Sequence, residues 1–149
     1  MADYYKDGYL EAVLFLFVKG RKILIEHRPN RDSEEIFIPN GRIDSKDTKN
    51  CRDYSYEAMR REISEEFSNK VIIKKYASLG QFIVENLKIR FYGFLITEWL
   101  GDLPDYTIEN GKRFARLEWI QIHEYKERLK LPSAIFFIEQ AIKTLNGKT

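Results

Sequence analysis

Arg61-Glu62-Ile63-Ser64-Glu65-Glu66 is the segment of this 149-residue chain whose residue types and spacing could do chemistry. On a helix turning about 100° per residue, Glu62, Glu65 and Glu66 share one side at spacing i, i+3, i+4, roughly opposite an apolar stripe of Tyr56, Met59, Ile63 and Phe67. Glu62 and Glu66 repel by roughly 0.2–0.5 kcal/mol in an isolated helix, so a cation nearby is expected to offset them. Hard oxygen donors without an adjacent histidine or thiolate suit magnesium, or alternatively manganese, better than zinc. Magnesium keeps waters and bridges to phosphates, so the implied chemistry is phosphate chemistry. The metal would polarise a phosphoryl oxygen and lower the pKa of a bound water, and a neighbouring carboxylate would take the water's proton. Ala58, on the same side one turn earlier, is expected to leave space for a ligand.

Where 32% of residues are charged, a lone Arg-Glu-x-x-Glu-Glu reads by default as a solvated helix face. Its place after a strand, a Pro39-Asn40-Gly41 turn and a capped helix start sets this copy apart. Residues 10–18 form a nearly continuous apolar run, expected to be a central, doubly buried strand. A tight turn at Lys19-Gly20-Arg21 leads to a second strand at 23–25. After a polar stretch, a short strand at 36–38 delivers the chain into the Pro39-Asn40-Gly41 loop. Helical periodicity takes over at 53–67, with Asp53 where a cap or first-turn acid is favoured. Further strands are predicted at 71–73, 79–84 and 89–99, the last two forming a hairpin around Glu85-Asn86-Leu87-Lys88. A loop containing Gly101, Pro104 and Gly111 follows, then a strand at 114–122. An amphipathic helix is predicted at 133–145, with Ile135, Ile138, Ile142 and Leu145 at helical spacing. This succession implies an α/β fold, a mixed sheet covered by helices on both faces.

The stretch from Gly41 to Ser68, about a fifth of the chain, resembles the signature box of the Nudix hydrolases (MutT-like), Gly-x5-Glu-x7-Arg-Glu-U-x-Glu-Glu-x-Gly-U with U a bulky aliphatic residue. Gly41 looks like the first glycine and Asp53 stands at the first glutamate. Seven residues later come Arg61, Glu62, Ile63, Glu65 and Glu66, and Glu57-Ala58 resembles the common Glu-Ala pair. The resemblance implies a Nudix fold, an α/β/α sandwich around a central mixed sheet in one domain over residues 1–149. It also implies a metal-dependent pyrophosphohydrolase that cleaves a nucleoside diphosphate linked to another moiety by water attack on phosphorus.

Carried over residue by residue, the resemblance makes Glu62 and Glu66 the main metal ligands and Glu65 a further ligand or the proton acceptor. Arg61 orients the first of them, and the backbone carbonyl of Asn40 completes the coordination. Glu109 occupies the place of an extra carboxylate that reaches the metal from a later loop. Arg28 resembles a phosphate-contacting arginine. Gly41 and Asp53 are structural, Asp53 anchoring the loop and helix start. Four departures stand out: six extra residues between Gly41 and Asp53, Asp for Glu at 53, Asn40 before the box, and Ser68 in place of the last glycine. The added loop is expected to touch geometry more than chemistry, and Asn69 could supply the left-handed conformation the missing glycine would adopt.

Twenty-five basic and 23 acidic residues give a formal charge of +2, so no basic stripe argues for a stable nucleic-acid complex. No apolar run is long enough to span a bilayer, and the single Cys51 suits a reducing, cytoplasmic setting as a buried or tolerated thiol. The expected partner is a nucleotide-type small molecule, and a homodimer stays open. His27 and His123 are read as structural. Among Tyr4, Tyr5, Tyr9, Phe82, Tyr92 and Trp119, one or two could stack on a base. The asparagine with which MutT-like relatives read oxidised guanine has no evident counterpart in Leu131-Pro132-Ser133-Ala134. A nucleoside triphosphate, ADP-ribose or another sugar nucleotide, or a dinucleoside polyphosphate all satisfy the box. The reading from another class is a Nudix-fold module that binds a nucleotide or protein without hydrolysing it; such modules typically lose the helix carboxylates retained here.

Overall fold

The computed structural model describes residues 2–30, 33–49, 53–68 and 70–147, so Cys51 and Asn69 lie outside the described residues. In chain order the strands are β1 (Tyr5–Lys6), β2 (Tyr9–Lys19), β3 (Lys22–Asn30), β4 (Ser33–Phe37) and β5 (Asn40–Arg42). Helix α1 (Tyr54–Glu66) follows, then β6 (Ile72–Val84), β7 (Ile89–Leu100), β8 (Tyr106–Glu109) and β9 (Lys112–Gln121), with helices α2 (Tyr125–Arg128) and α3 (Pro132–Asn146) last. The main sheet order is β6-β7-β2-β3-β9-β8. Among the described residues only β2 and β7 run parallel; the other pairings are antiparallel.

The apolar run of β2 is buried on both faces. Val13, Phe15 and Phe17 pack toward α1 with Met59, Ile63 and Phe67, while Leu14, Leu16 and Val18 pack toward α3 with Phe137, Ile138 and Ala141. Period-two alternation in one strand thus supplies both layers of an α/β/α sandwich. Each fully buried side chain of this size contributes ~1.5–3 kcal/mol.

Strands β2 and β3 are paired only at Val18↔Ile23 and Lys19↔Lys22, beside their turn, and then part company. The wedge between them is filled by the next segment of chain: β4 pairs with β3, and β5 pairs with β2 at Ala12↔Arg42, Val13↔Gly41 and Leu14↔Asn40. That wedge holds the loop leading into α1.

Several boundaries differ from the sequence expectation. The strands expected at 71–73 and 79–84 are one, β6, with register shifts near Lys75 and between Ser78 and Gly80. As an edge strand it is mostly exposed, so its polar middle does not end it. The predicted polar stretch after Pro29 is a β3–β4 hairpin, and the loop before 114 contains β8, joined to β9 through Asn110 (φ 52°) and Gly111 (φ 75°). In α3 the buried stripe is Ala134, Phe137, Ile138 and Ala141; of the four residues expected there, only Ile138 is fully buried. No helix among the described residues is long and apolar enough to cross a membrane.

Candidate functional site

Helix α1 begins where its sequence allows. Asp53 Oδ1 accepts from the Tyr56 backbone N–H at 3.1 Å, satisfying one of the orphan first-turn donors. At the other end Ser68 itself takes the left-handed conformation, with φ 57°. The expected role of Asn69 is therefore filled one residue earlier, at the position of the missing box glycine.

The three box glutamates occupy very different surroundings. Glu65 is half exposed, with 47% side-chain accessibility, whereas Glu62 shows 13% and Glu66 is partly buried, with its Oε2 out of contact with solvent. The acidic side opposite the apolar stripe is therefore not the solvated face that its composition suggests by default. Ala58 is also fully buried, in the same apolar cluster as Met59 and Ile63, so it packs against the sheet and leaves no room for a ligand. The helix is embraced by the β5 loop: a Cβ on Gly41 would overlap the carboxyl carbon and Oε2 of Glu62. Only glycine lets β5 and that carboxylate approach this closely.

Arg61 is the hub of the box. Its Nε and Nη2 donate to Asp47, the closest contacts being 2.9 Å, and Nη2 also donates to the Arg42 carbonyl at 3.0 Å. Its Nη1 donates to Glu62 Oε1 at 3.2 Å and Glu65 Oε1 at 3.1 Å. Burial opposes the charge, yet the Asp47 hydrogen bonds and the neighbouring carboxylates hold the guanidinium above its usual range. Asp47 belongs to a 3-10 turn, Ser45–Thr48, inside the added loop, closed by a capping box in which Asp47 Oδ2 accepts from the Asp44 N–H at 2.8 Å. The added residues therefore supply the partner of the box arginine, which sequence reasoning missed.

Sequence reasoning also missed Glu26. Leu24, Glu26 and Arg28 share the face of β3 that looks toward α1, Leu24 lying in the α1-side cluster. Glu26 is fully buried, and its Oε1 accepts from Arg28 Nε at 2.6 Å and also pairs with Nη2. Arg28 lies 4.6 Å from the centre of the Phe37 ring and reaches the Asn40 carbonyl at 3.5 Å. The signal available in sequence was an acid within the apolar run Ile23-Leu24-Ile25-Glu26.

Burial pushes the Glu62 carboxyl up to about 7, Arg61 partly opposing this. Burial, then the charges of Glu26 and Glu62, raise Glu66 well above the usual carboxylate range, with Arg28 pulling the other way and Glu109 adding to the rise. Glu26 is likewise raised, chiefly by burial. Exposed Glu109, at the tip of the β8–β9 hairpin, is thus close enough to bear on both buried acids. Two carboxylate oxygens here, Glu66 Oε2 and Glu26 Oε2, are buried without a hydrogen-bond partner among the described residues. Among the described residues no three acid, histidine or cysteine side chains converge as a ready-made metal cage. The donor set is nevertheless all hard oxygen with unsatisfied acceptors, which fits a magnesium-type cation.

Other predicted residues lie away from this cluster or are engaged. His27 Nε2 meets Glu118 Oε1 at 2.7 Å, and Arg128 bonds the same oxygen, tying β3, β9 and α2 together. Trp119 stacks on Trp99, Phe82 packs on Phe136 and Phe137, and the hydroxyls of Tyr9 and Tyr92 bond Glu85 and Glu11. Tyr4 packs edge-on against Tyr54, while Tyr5 is exposed.

No protein-family model matches the chain, and no curated protein matches it in sequence. In three dimensions it is similar to an ADP compounds hydrolase at 12% identity and TM-score 0.72, over 94% of this chain and 77% of the other. It is similar to the NUDIX domain of Shewanella oneidensis NrtR, solved with ADP ribose, at 14% identity and TM-score 0.66, over 95% and 90% of the two chains. A MutT NUDIX hydrolase from Burkholderia pseudomallei gives 17% identity and TM-score 0.63, over 87% and 95%. The mixed sheet and its two helical layers are those of the Nudix fold.

Proposed function

We propose that this chain is a magnesium-dependent pyrophosphohydrolase acting on a nucleoside diphosphate linked to another moiety. The observation that carries the reading is the cluster at the β5–α1 junction, where Arg61 holds Glu62 and Glu65 on the same helix end as Glu66, whose Oε2 is buried, with the Gly41 backbone against Glu62. Glu62, Glu66 and Glu65, with the Asn40 carbonyl and Glu109, would hold magnesium or manganese. When bound, the cation would neutralise phosphate charge and make a water more acidic.

The chain's own residues then have distinct tasks. Arg61 spends its Nη1 hydrogens on Glu62 and Glu65, fixing both carboxylates in orientation. Glu65 is the half-exposed acid, and its Oε2 takes the proton of the attacking water. The water oxygen bonds to phosphorus as the bridging P–O bond breaks, and the leaving phosphate carries away the electron pair. Arg28, fixed between Glu26 and the Phe37 ring, turns its remaining donors to a substrate phosphate.

The test is to incubate the purified protein with magnesium and a panel of nucleoside triphosphates, ADP-ribose, sugar nucleotides and dinucleoside polyphosphates, then identify the products. Release of a nucleoside monophosphate or of pyrophosphate is expected for at least one class. A second reading, a module that binds nucleotide without hydrolysis, is favoured by the similarity to a NUDIX domain solved with ADP ribose. Binding without turnover across the panel would establish it.

A further inference from the structure

Among the described residues two glutamates are completely buried, Glu11 on β2 and Glu26 on β3, and they are treated very differently. Glu11 has both oxygens satisfied: Oε1 accepts from the hydroxyls of Tyr92 at 2.6 Å and Tyr54 at 3.2 Å, and Oε2 from Arg90 Nη1 at 2.9 Å. That is how a purely structural buried carboxylate is accommodated. Glu26 has Arg28 on Oε1 and, among the described residues, no hydrogen-bond partner on Oε2. Glu66, at the end of α1, also has a buried Oε2 without a hydrogen-bond partner among the described residues.

The charge balance of the wedge points the same way. Glu26 on β3 is near enough to Glu66 on α1 for its charge to bear on it, Arg28 is the cation that bears on both, Glu109 on β8 adds negative charge to both, and Glu62 adds it to Glu66. One arginine cannot compensate both carboxylates, so the second needs either a proton or a further cation. Arg28 cannot move across to cover Glu66 without exposing Glu26, since its Nε and Nη2 are committed to Glu26 Oε1.

We infer that Glu26, which lies outside the box, is an additional cation ligand, its free Oε2 joining Glu66 Oε2 to seat a divalent metal while Arg28 clamps Oε1 and aims the carboxylate. This rests on the metal-dependent reading above and adds to its ligand set a residue from β3. Arg28 is then a positioning residue for the metal as well as a contact for phosphate, so the two functions are linked through one guanidinium.

Mn2+ binding to the full chain without nucleotide, followed by the loss of the free-ion electron paramagnetic resonance signal, tests this directly. Wild type, Glu26→Gln and Glu66→Gln are compared, with circular dichroism and melting in EDTA confirming that each is folded. Glu26→Gln should weaken Mn2+ binding at least 10-fold, or remove one bound ion, and should lose the rise in melting temperature that Mn2+ gives wild type. Its melting temperature in EDTA should be no lower than that of wild type, because the amide carries no buried charge. Glu26→Asp keeps the charge but withdraws the oxygen, and should show the same binding loss; it serves as the test if the glutamine variant does not fold. Wild-type Mn2+ affinity in the folded Glu26 variant, with binding lost in Glu66→Gln, overturns the role of Glu26 and leaves the metal-dependent reading intact. Absence of Mn2+ binding by wild type at millimolar concentration overturns both.

Discussion

Gly41 and Glu62 meet where a backbone and a carboxylate compete for one volume. Gly41→Ala places a methyl group against a flexible side-chain tip, so the fold should tolerate it while the carboxylate swings away. Turnover of whichever panel substrate is accepted should fall by about 100-fold, the typical cost of a 1 Å misplacement at a reacting centre. A melting temperature within a few degrees of wild type, measured alongside the rate, distinguishes displacement of the carboxylate from unfolding. Glu62 also sets a pH dependence. Its carboxyl is raised to about 7 in the folded chain, so at neutral pH it binds more protons folded than unfolded. Raising the pH therefore favours unfolding, and the penalty grows between the ordinary carboxylate value of 4.5 and about 7. Metal-free protein in EDTA should lose melting temperature across that window. Glu62→Gln should reduce the loss across that window without abolishing it, because Glu26 and Glu66 are raised as well.

Among the elements, the 3-10 turn of the added loop carries most that is particular to this chain. Asp47 is buried, with 5% side-chain accessibility, and serves both the turn's capping box and the Arg61 guanidinium. Asp47→Ala leaves Arg61 buried without its principal partner, which costs about 3–5 kcal/mol, or a fall in melting temperature on the order of 10 °C. Turnover should fall with it, since Arg61 also orients Glu62 and Glu65; calorimetry and initial rates report the two effects separately. This turn marks a limit of what was legible in the sequence. The periodicity of Met59, Ile63 and Phe67 announced α1, and the spacing from Asp53 to Glu66 announced the acids on it. Asp47 gave no local signal, because its partner lies 14 residues ahead and no pattern with a fixed period connects them. Glu26 was hidden for a related reason: an acid in a strand reads as facing solvent until the neighbouring strands are known to splay. Edge elements such as β6 and β8 were misread because exposed strands carry no clean alternation.

For the whole molecule, the two faces of the sheet divide the labour. The α1 face bears the acids and the α3 face supplies packing, so a defect on the second should change stability and spare the site. Gly93, on β7, is pressed by the Phe137 ring of α3, which a Cβ would overlap. Gly93→Ala should destabilise by about 1–3 kcal/mol, as overpacked cores do. Urea unfolding should show the loss, and Mn2+ affinity measured below the transition should be unchanged. The layer order was readable from sequence because β2 alternates between the two cores so regularly. The splay of β2 from β3 was not readable, because the pairings that end beside a turn leave no trace in composition.

The parallel pairing of β2 with β7, Leu10↔Ile89 through Phe17↔Ile96, joins a strand near the start of the described chain to one far along it. As the chain leaves the ribosome, Glu26, Glu62 and Glu66 all emerge before β7 exists. The apolar stripe of α1 appears before Phe94 and Ile96, which help to cover it. Local hairpins can close early, but the layer on which α1 packs is completed only by the slow, long-range closure of β7 onto β2. Until then the growing chain shows bare apolar helix and an open strand edge, the features that holding chaperones recognise.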